Sequence, residues 1–154
     1  MAEDQRTLFE GLYLEHGEHL WRGVLMYAGD REIANDAVAE AFAQAIRRGK
    51  DLREPLAWIT TAAYRIAAGE LKAGRARGYP LVEAPYEMPE PALHVAKALA
   101  QLSPKQRASA LLHFRDGYTL AETARIIGST TSAVGVHLHR ARKRLNDLLE
   151  DPDV

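Results

Sequence analysis

Two sets of side chains in this sequence could do chemistry, and their spacing separates them. The six histidines and the serines could ligate a metal or act as nucleophiles. Their arrangement does not suit either task. His137 and His139 stand two residues apart, roughly 200° around a helix axis, so they cannot grip one ion together. The chain has no cysteine, which removes thiolate zinc sites, disulfides and a cysteine nucleophile. It also lacks a His-Glu-x-x-His run and a glycine-rich phosphate loop. Ser103, Ser109, Ser129 and Ser132 lie outside any nucleophile-elbow context. No enzyme activity, metal or cofactor is expected.

The second set is cationic. The stretch GSTTSAVGVHLHRARKRL, Gly128 to Leu145, carries Arg140, Arg142, Lys143 and Arg144. At about 100° per residue, Val134, Leu138, Ala141 and Leu145 share one narrow arc, which must be the buried one. The opposite side carries Ser132, Val136, His139, Arg140 and Lys143, with Gly135 and His137 on its flanks. Those residue types suit duplex DNA. Ser132 and His139 could hydrogen-bond base edges or phosphates, and Val136 could touch a thymine methyl. The cations would neutralise phosphates. A solvated basic helix face is the plainer alternative, and on charge alone both stand. A further cationic strip is formed by Arg47, Arg48, Lys50 and Arg53 around Gly49, then Arg65, Lys72, Arg75 and Arg77. It could hold a single strand by its backbone, or be an ordinary basic helix end favoured by the macrodipole. Asp36 and Glu40 lie one helical turn apart on a shared face, as contacts for a basic partner or as solvated acids. Trp58, flanked by Leu56, Ile59 and Ala62, reads better as core than as a stacking platform.

The elements that must position these groups are helical. The chain has 154 residues, 47% hydrophobic, with its apolar content largely Ala and Leu, a mixture that favours helices over strands. A first block, Asp4 to Gly74, repeats apolar residues at helical spacing. It breaks at Gly29-Asp30 and at the Gly49-Lys50-Asp51 loop, and restarts at Pro55. Residues 75–92 form a Pro- and Glu-containing linker without periodicity. The second block, 93–150, holds two capping boxes, Ser103…Gln106 and Thr119…Glu122, and a turn at Gly128. A last helix starts near Thr130 or Thr131, so the block reads as a helix-turn-helix. Charge follows the same division: the net of −1 splits into +5 from His94 to Glu150 and −6 elsewhere. The acidic N-terminus lacks a signal peptide's pattern, and Leu56–Gly69 is too short to span a bilayer and carries Arg65, so a cytoplasmic chain is expected.

Both blocks resemble bacterial RNA polymerase sigma factors of the extracytoplasmic-function class. GDREIANDAVAEAFAQA matches the family's first-domain pattern at Ala34, Asp36, Glu40 and Phe42, and the Trp-aliphatic hallmark is Trp58-Ile59. In the second block Leu102, Pro104, Arg107, Gly117, Glu122, Ala124, Gly128, Val134, Leu138, Arg140, Ala141, Arg142 and Leu145 fall on pattern positions. The resemblance implies an all-α chain of two small domains, a sigma region 2-like bundle and a sigma region 4-like helix-turn-helix.

It implies partners and roles as well. Asp36 and Glu40 would meet the β′ clamp helices of core RNA polymerase, and the second domain its β flap. Arg47, Arg48, Lys50, Arg53, Arg65, Lys72, Arg75 and Arg77 would hold the unwound minus-ten strand of promoter DNA. Thr130, Thr131, Ser132, Val136, His137, His139, Arg140, Lys143 and Arg144 would read the upstream, minus-thirty-five element. An anti-sigma factor would be a further partner; membrane insertion is not expected.

The sequence departs from the pattern at Ala39, where Gln is usual, at Arg65, often Asn, and at Gly135, Val136 and His137, where Lys, a small polar residue and Arg are common. Two other readings therefore stand beside the sigma factor. One is a sigma-like adaptor with weakened promoter recognition. The other is a dimeric helix-turn-helix repressor, which has no need of the first block's pattern.

Overall fold

The structure, a computed structural model, describes residues 2–74 and 90–150. Among these residues there are seven α-helices and no strand, as the Ala- and Leu-rich composition leads one to expect. Helix α1, Ala2–Ala28, stops at Gly29, whose φ of 68° is the left-handed conformation that glycine adopts without cost. Asp30 then caps α2, Arg31–Arg48, its carboxylate accepting from the N–H groups of Glu32 and Ile33 at 2.9 and 3.2 Å. Where the sequence suggests a plain loop, Gly49–Asp51 winds as one 3₁₀ turn. Helix α3, Pro55–Lys72, opens on its proline, whose missing N–H costs nothing there.

These three helices pack as a bundle with an alanine seam. Ala34, Ala37, Ala41, Ala45, Ala63 and Ala67 are fully buried, so the backbones of α2 and α3 approach closely around Ile59 and Phe42. Trp58 is half-buried and packs against this core, with the Arg48 guanidinium 5.5 Å from its ring centroid.

The second bundle begins with α4, Glu90–Ala100, whose first turn tolerates Pro91 and favours Glu90 at the positive end of the dipole. Helix α5, Pro104–Ala110, starts on the complete capping box of Ser103 and Gln106. It widens into a π-helical turn, Leu111–Arg115, a feature that periodicity does not reveal. The His113 ring closes this turn with a 2.7 Å bond to the Tyr118 carbonyl. Helix α6, Leu120–Ile127, has the second capping box, and Gly128 ends it at φ 68°, ψ 44°. Helix α7, Thr131–Leu149, is capped by Thr130, whose hydroxyl accepts from the Ala133 N–H at 3.1 Å. Helices α6 and α7 with their tight turn make the helix-turn-helix.

The two bundles do not stand apart. Ala96, Leu99, Leu102, Ala108 and Ile126 of the second join one continuous core with Tyr27, Tyr64 and Ala67 of the first. A smaller cluster of Ala124, Val134 and Leu138 holds the helix-turn-helix together.

Candidate nucleic-acid interface

Helix α7 is oriented by its apolar arc. Val134 and Ala141 are fully buried and Leu138 nearly so, while Leu145 packs against the main core. That burial forces Thr131, Ser132, Val136, His139, Arg140, Lys143 and Arg144 outward, all of them exposed, together with the cap Thr130. Val136 keeps 48% of its surface open, an isolated apolar group on a polar, cationic face. A Cβ built at Gly135 meets no atom within 4 Å, so packing does not require glycine there. Arg140, Lys143 and Arg144 border a shallow cleft with Asp147, Gln101 and Gln106. Arg142 points elsewhere, with its guanidinium 5.1 Å from the centroid of the exposed Phe114 ring.

His137 differs from its neighbours on the helix. It is half-buried and lines a groove of about 610 Å³ between α3, α5 and α6, together with Tyr27, Tyr64, Lys72 and Lys105. Its Nδ1 is buried and makes no hydrogen bond among the described residues. Burial, then the charges of Lys105 and Arg140, push its pKa below the usual imidazole value.

On the first bundle, Asp36 and Glu40 are both exposed on α2. Glu40 is already engaged: Gln44 and Arg47 donate to it at 3.1 and 3.0 Å, and these bonds lower its pKa. Arg47 is thus tied to Glu40, and Arg48 to the face of Trp58, whereas Lys50 and Arg53 are exposed beside the 3₁₀ turn. Arg48, Arg53, Trp58, Thr61 and Arg65 line a cleft of about 520 Å³, closed on its far side by Tyr118, Glu122 and Arg125 of the second bundle. Lys72 is exposed at the end of α3; Arg75 and Arg77 lie outside the described residues.

Comparison with known proteins fits this geometry. Residues 93–145, which contain the helix-turn-helix, match the family "Sigma-70, region 4". Over the whole length, the chain is 30% identical to the ECF RNA polymerase sigma factor SigL of Mycobacterium tuberculosis, covering 97% of this chain and 93% of that one. The chain belongs to the extracytoplasmic-function sigma factors. SigM of the same organism is 29% identical over 94% of this chain and 78% of its own. Among solved structures, the sigma factor RpoE of Bartonella quintana, in complex with the anti-sigma factor NepR, superposes with a TM-score of 0.68. It is 22% identical over 94% of this chain and 98% of that chain. CnrH, in complex with the cytosolic domain of CnrY, gives a TM-score of 0.68 at 21% identity over 97% of this chain and 92% of its own. Both share the fold. As a sigma factor the protein works with core RNA polymerase on promoter DNA, directing transcription initiation at specific promoters.

Several side chains of this sigma factor make contacts that sequence reasoning did not assign to them. Arg65, expected to hold DNA, donates through Nε and Nη2 to the carbonyls of Ile126 and Arg125 at 3.3 and 2.8 Å. Arg107, noted only as a pattern position, is buried and donates to the carbonyls of Leu99, Leu102 and Tyr27. Arg115, Asp116 and His19 join across the two bundles. A partial signal was the three glycines inside α1, Gly11, Gly17 and Gly23, of which only Gly23 is a place where an added Cβ would meet Arg115, at 2.8 Å.

Proposed function

We propose that the exposed face of α7 reads the upstream promoter element as duplex DNA. The basic strip of the 3₁₀ turn and α3 takes up the unwound minus-ten strand, and Asp36 and Glu40 contact the β′ clamp helices. The observation that carries this reading is the division of α7. Its apolar arc is spent on the helix-turn-helix core, and from Thr131 to Arg144 the exposed side chains are hydroxyl, imidazole, cation or the single Val136. Thr130, Thr131 and Ser132 sit at the helix N-terminus, where free N–H groups and the macrodipole favour a phosphate. Arg140, Lys143 and Arg144 would add backbone affinity further along the groove. Ser132 and His139 would address base edges, and Val136 a thymine methyl. The space beside Gly135 lets the helix backbone come close to the duplex.

The sigma factor itself supplies recognition, and polymerase the chemistry. It acts where polymerase is, in the cytoplasm; no helix among the described residues is long and apolar enough to cross a membrane. An anti-sigma factor, like those bound to the two structural relatives, is a fitting regulator.

The test is reconstitution with core polymerase on a library of promoter fragments, followed by mapping of transcript starts. Defined starts that disappear with Ser132→Ala plus Arg140→Ala support the α7 assignment. Starts that depend on the protein but ignore both substitutions refute it.

A further inference from the structure

We propose that the groove beside His137 binds a small amphipathic carboxylate, an apolar chain or ring system that ends in one carboxyl group. The groove shares Arg65, Lys72 and His137 with the surfaces assigned to DNA, but its test needs neither DNA nor polymerase.

The groove measures about 610 Å³, inside the range usual for small-molecule sites, and it lies where such sites concentrate, at the junction of two helical bundles. Its body is apolar. The first bundle supplies Tyr64, Ala68 and Leu71, and the second Ala108, Ile126 and Ile127. Tyr64, Ala108 and Ile126 are buried and make a firm floor, whereas Ala68, Leu71 and Ile127 are only half-buried. An apolar chain laid along the groove would remove that remaining surface from water.

The rim decides the sign of the ligand. Arg65, Lys72 and Lys105 stand there exposed, and among the described residues no acid lines the groove. Other hollows of the molecule carry their own counter-charge. Glu54 and Glu122 line the cleft of Arg48 and Trp58, Glu10 the hollow at Phe42 and Ile46, and Asp147 the cleft of Arg140 and Lys143. Cations over an apolar floor, with no acid among them, match one ligand class. A bare phosphate has no use for the floor, and a neutral hydrocarbon none for the cations.

His137 points to a carboxylate as the head group. Its Nδ1 is buried and makes no hydrogen bond among the described residues. A stranded acceptor is better tolerated than a stranded N–H, so the proton belongs on Nε2. Burial, with the charges of Lys105 and Arg140, opposes a second proton and keeps the ring neutral. The polar group that this ring offers to the groove is therefore one donor, Nε2–H. Lys105, on the same groove, adds an ammonium. A carboxylate has two acceptor oxygens and can take one donor on each.

The test uses the full-length protein and cis-parinarate, a polyene fatty acid that fluoresces in apolar surroundings, kept below its micelle concentration. Binding should be saturable, at one molecule per chain. Dodecanoate should displace the probe, and dodecanol, which keeps the chain and loses the charge, should do so about tenfold less well. Lys105→Glu should weaken parinarate binding about tenfold. Lys105 is in the first turn of α5, where an acidic side chain suits the dipole, so this variant should stay folded. Ala68→Trp, which fills the floor, should abolish binding with every cation in place, and circular dichroism checks that its helices remain. His137→Gln, which keeps an N–H donor, should bind better than His137→Leu. Absence of saturable binding overturns the proposal, and so does binding that ignores both Lys105→Glu and Ala68→Trp. Equal displacement by dodecanol overturns the carboxylate. Parinarate that enters only after Leu81→Ser and Val82→Ser would put the chain's own residues in the groove. A sedimenting dimer that Ala68→Trp dissociates would put a second copy there. Either result also overturns the proposal.

Discussion

Gly135→Ala separates stability from reading in a single residue. The position is inside α7, in helical conformation, and a methyl group there meets nothing within 4 Å. The substitution therefore adds no clash and removes the backbone freedom that glycine carries in the unfolded chain. Glycine costs a helix interior about 1 kcal/mol relative to alanine, so the free protein should gain about that much. For a chain of this size the gain amounts to a rise in Tm of about 2–4 °C. Binding should move the other way. If the backbone at Gly135 comes close to the duplex, the methyl occupies that space and lowers affinity for an upstream-element duplex. Urea unfolding followed by circular dichroism gives the first quantity, and competition binding of holoenzyme to promoter fragments the second. A variant that is more stable and binds DNA as well as wild type refutes the close approach. One that gains no stability refutes the description of Gly135 as an unconstrained helix residue.

Three further outcomes are expected. Arg107→Met keeps an unbranched apolar side chain but removes the guanidinium from the carbonyls of Tyr27, Leu99 and Leu102, of which Leu99 still accepts from the Leu102 N–H, and should cost ~2–4 kcal/mol in urea unfolding. A cost under ~1 kcal/mol would mean that water replaces the guanidinium. Replacing Arg140, Lys143 and Arg144 together by Ala should flatten the salt dependence of holoenzyme binding, the slope falling by about 0.9 for each phosphate that is no longer neutralised. An unchanged slope would remove these residues from the duplex interface. For His137 the folded pKa lies below the unfolded value of 6.5, so the neutral ring's contribution is present above that pH and fades as pH falls through the folded pKa. The stability of wild type should therefore drop, relative to His137→Gln, only on the acid side of 6.5; parallel pH–stability curves would contradict this.

Much of the fold was legible because its signals are local. Asp30, Ser103, Thr119 and Thr130 cap the helices they precede by bonds to N–H groups two or three residues on. Gly128 takes the left-handed turn that its place between two apolar-periodic runs requires. The candidate site was half legible, for the same reason. Helical periodicity told which side of α7 is buried, and so which residues remain exposed. It did not show that His137 turns into a groove, since that depends on Tyr64 and Lys72, far away in sequence.

The sequence by itself determined the helices, their caps, the outward face of α7 and the membership of the sigma family, because each rests on residues within a few turns of one another. Only the tertiary structure decided what the arginines do. Arg65 and Arg115 look alike as cations on a helix, yet one grips the end of α6 and the other enters the notch at Gly23. Arg107, on the same count another surface charge, is buried against three carbonyls. A guanidinium presents five donors at the end of a long stem, and which acceptors it finds is settled only when distant helices meet.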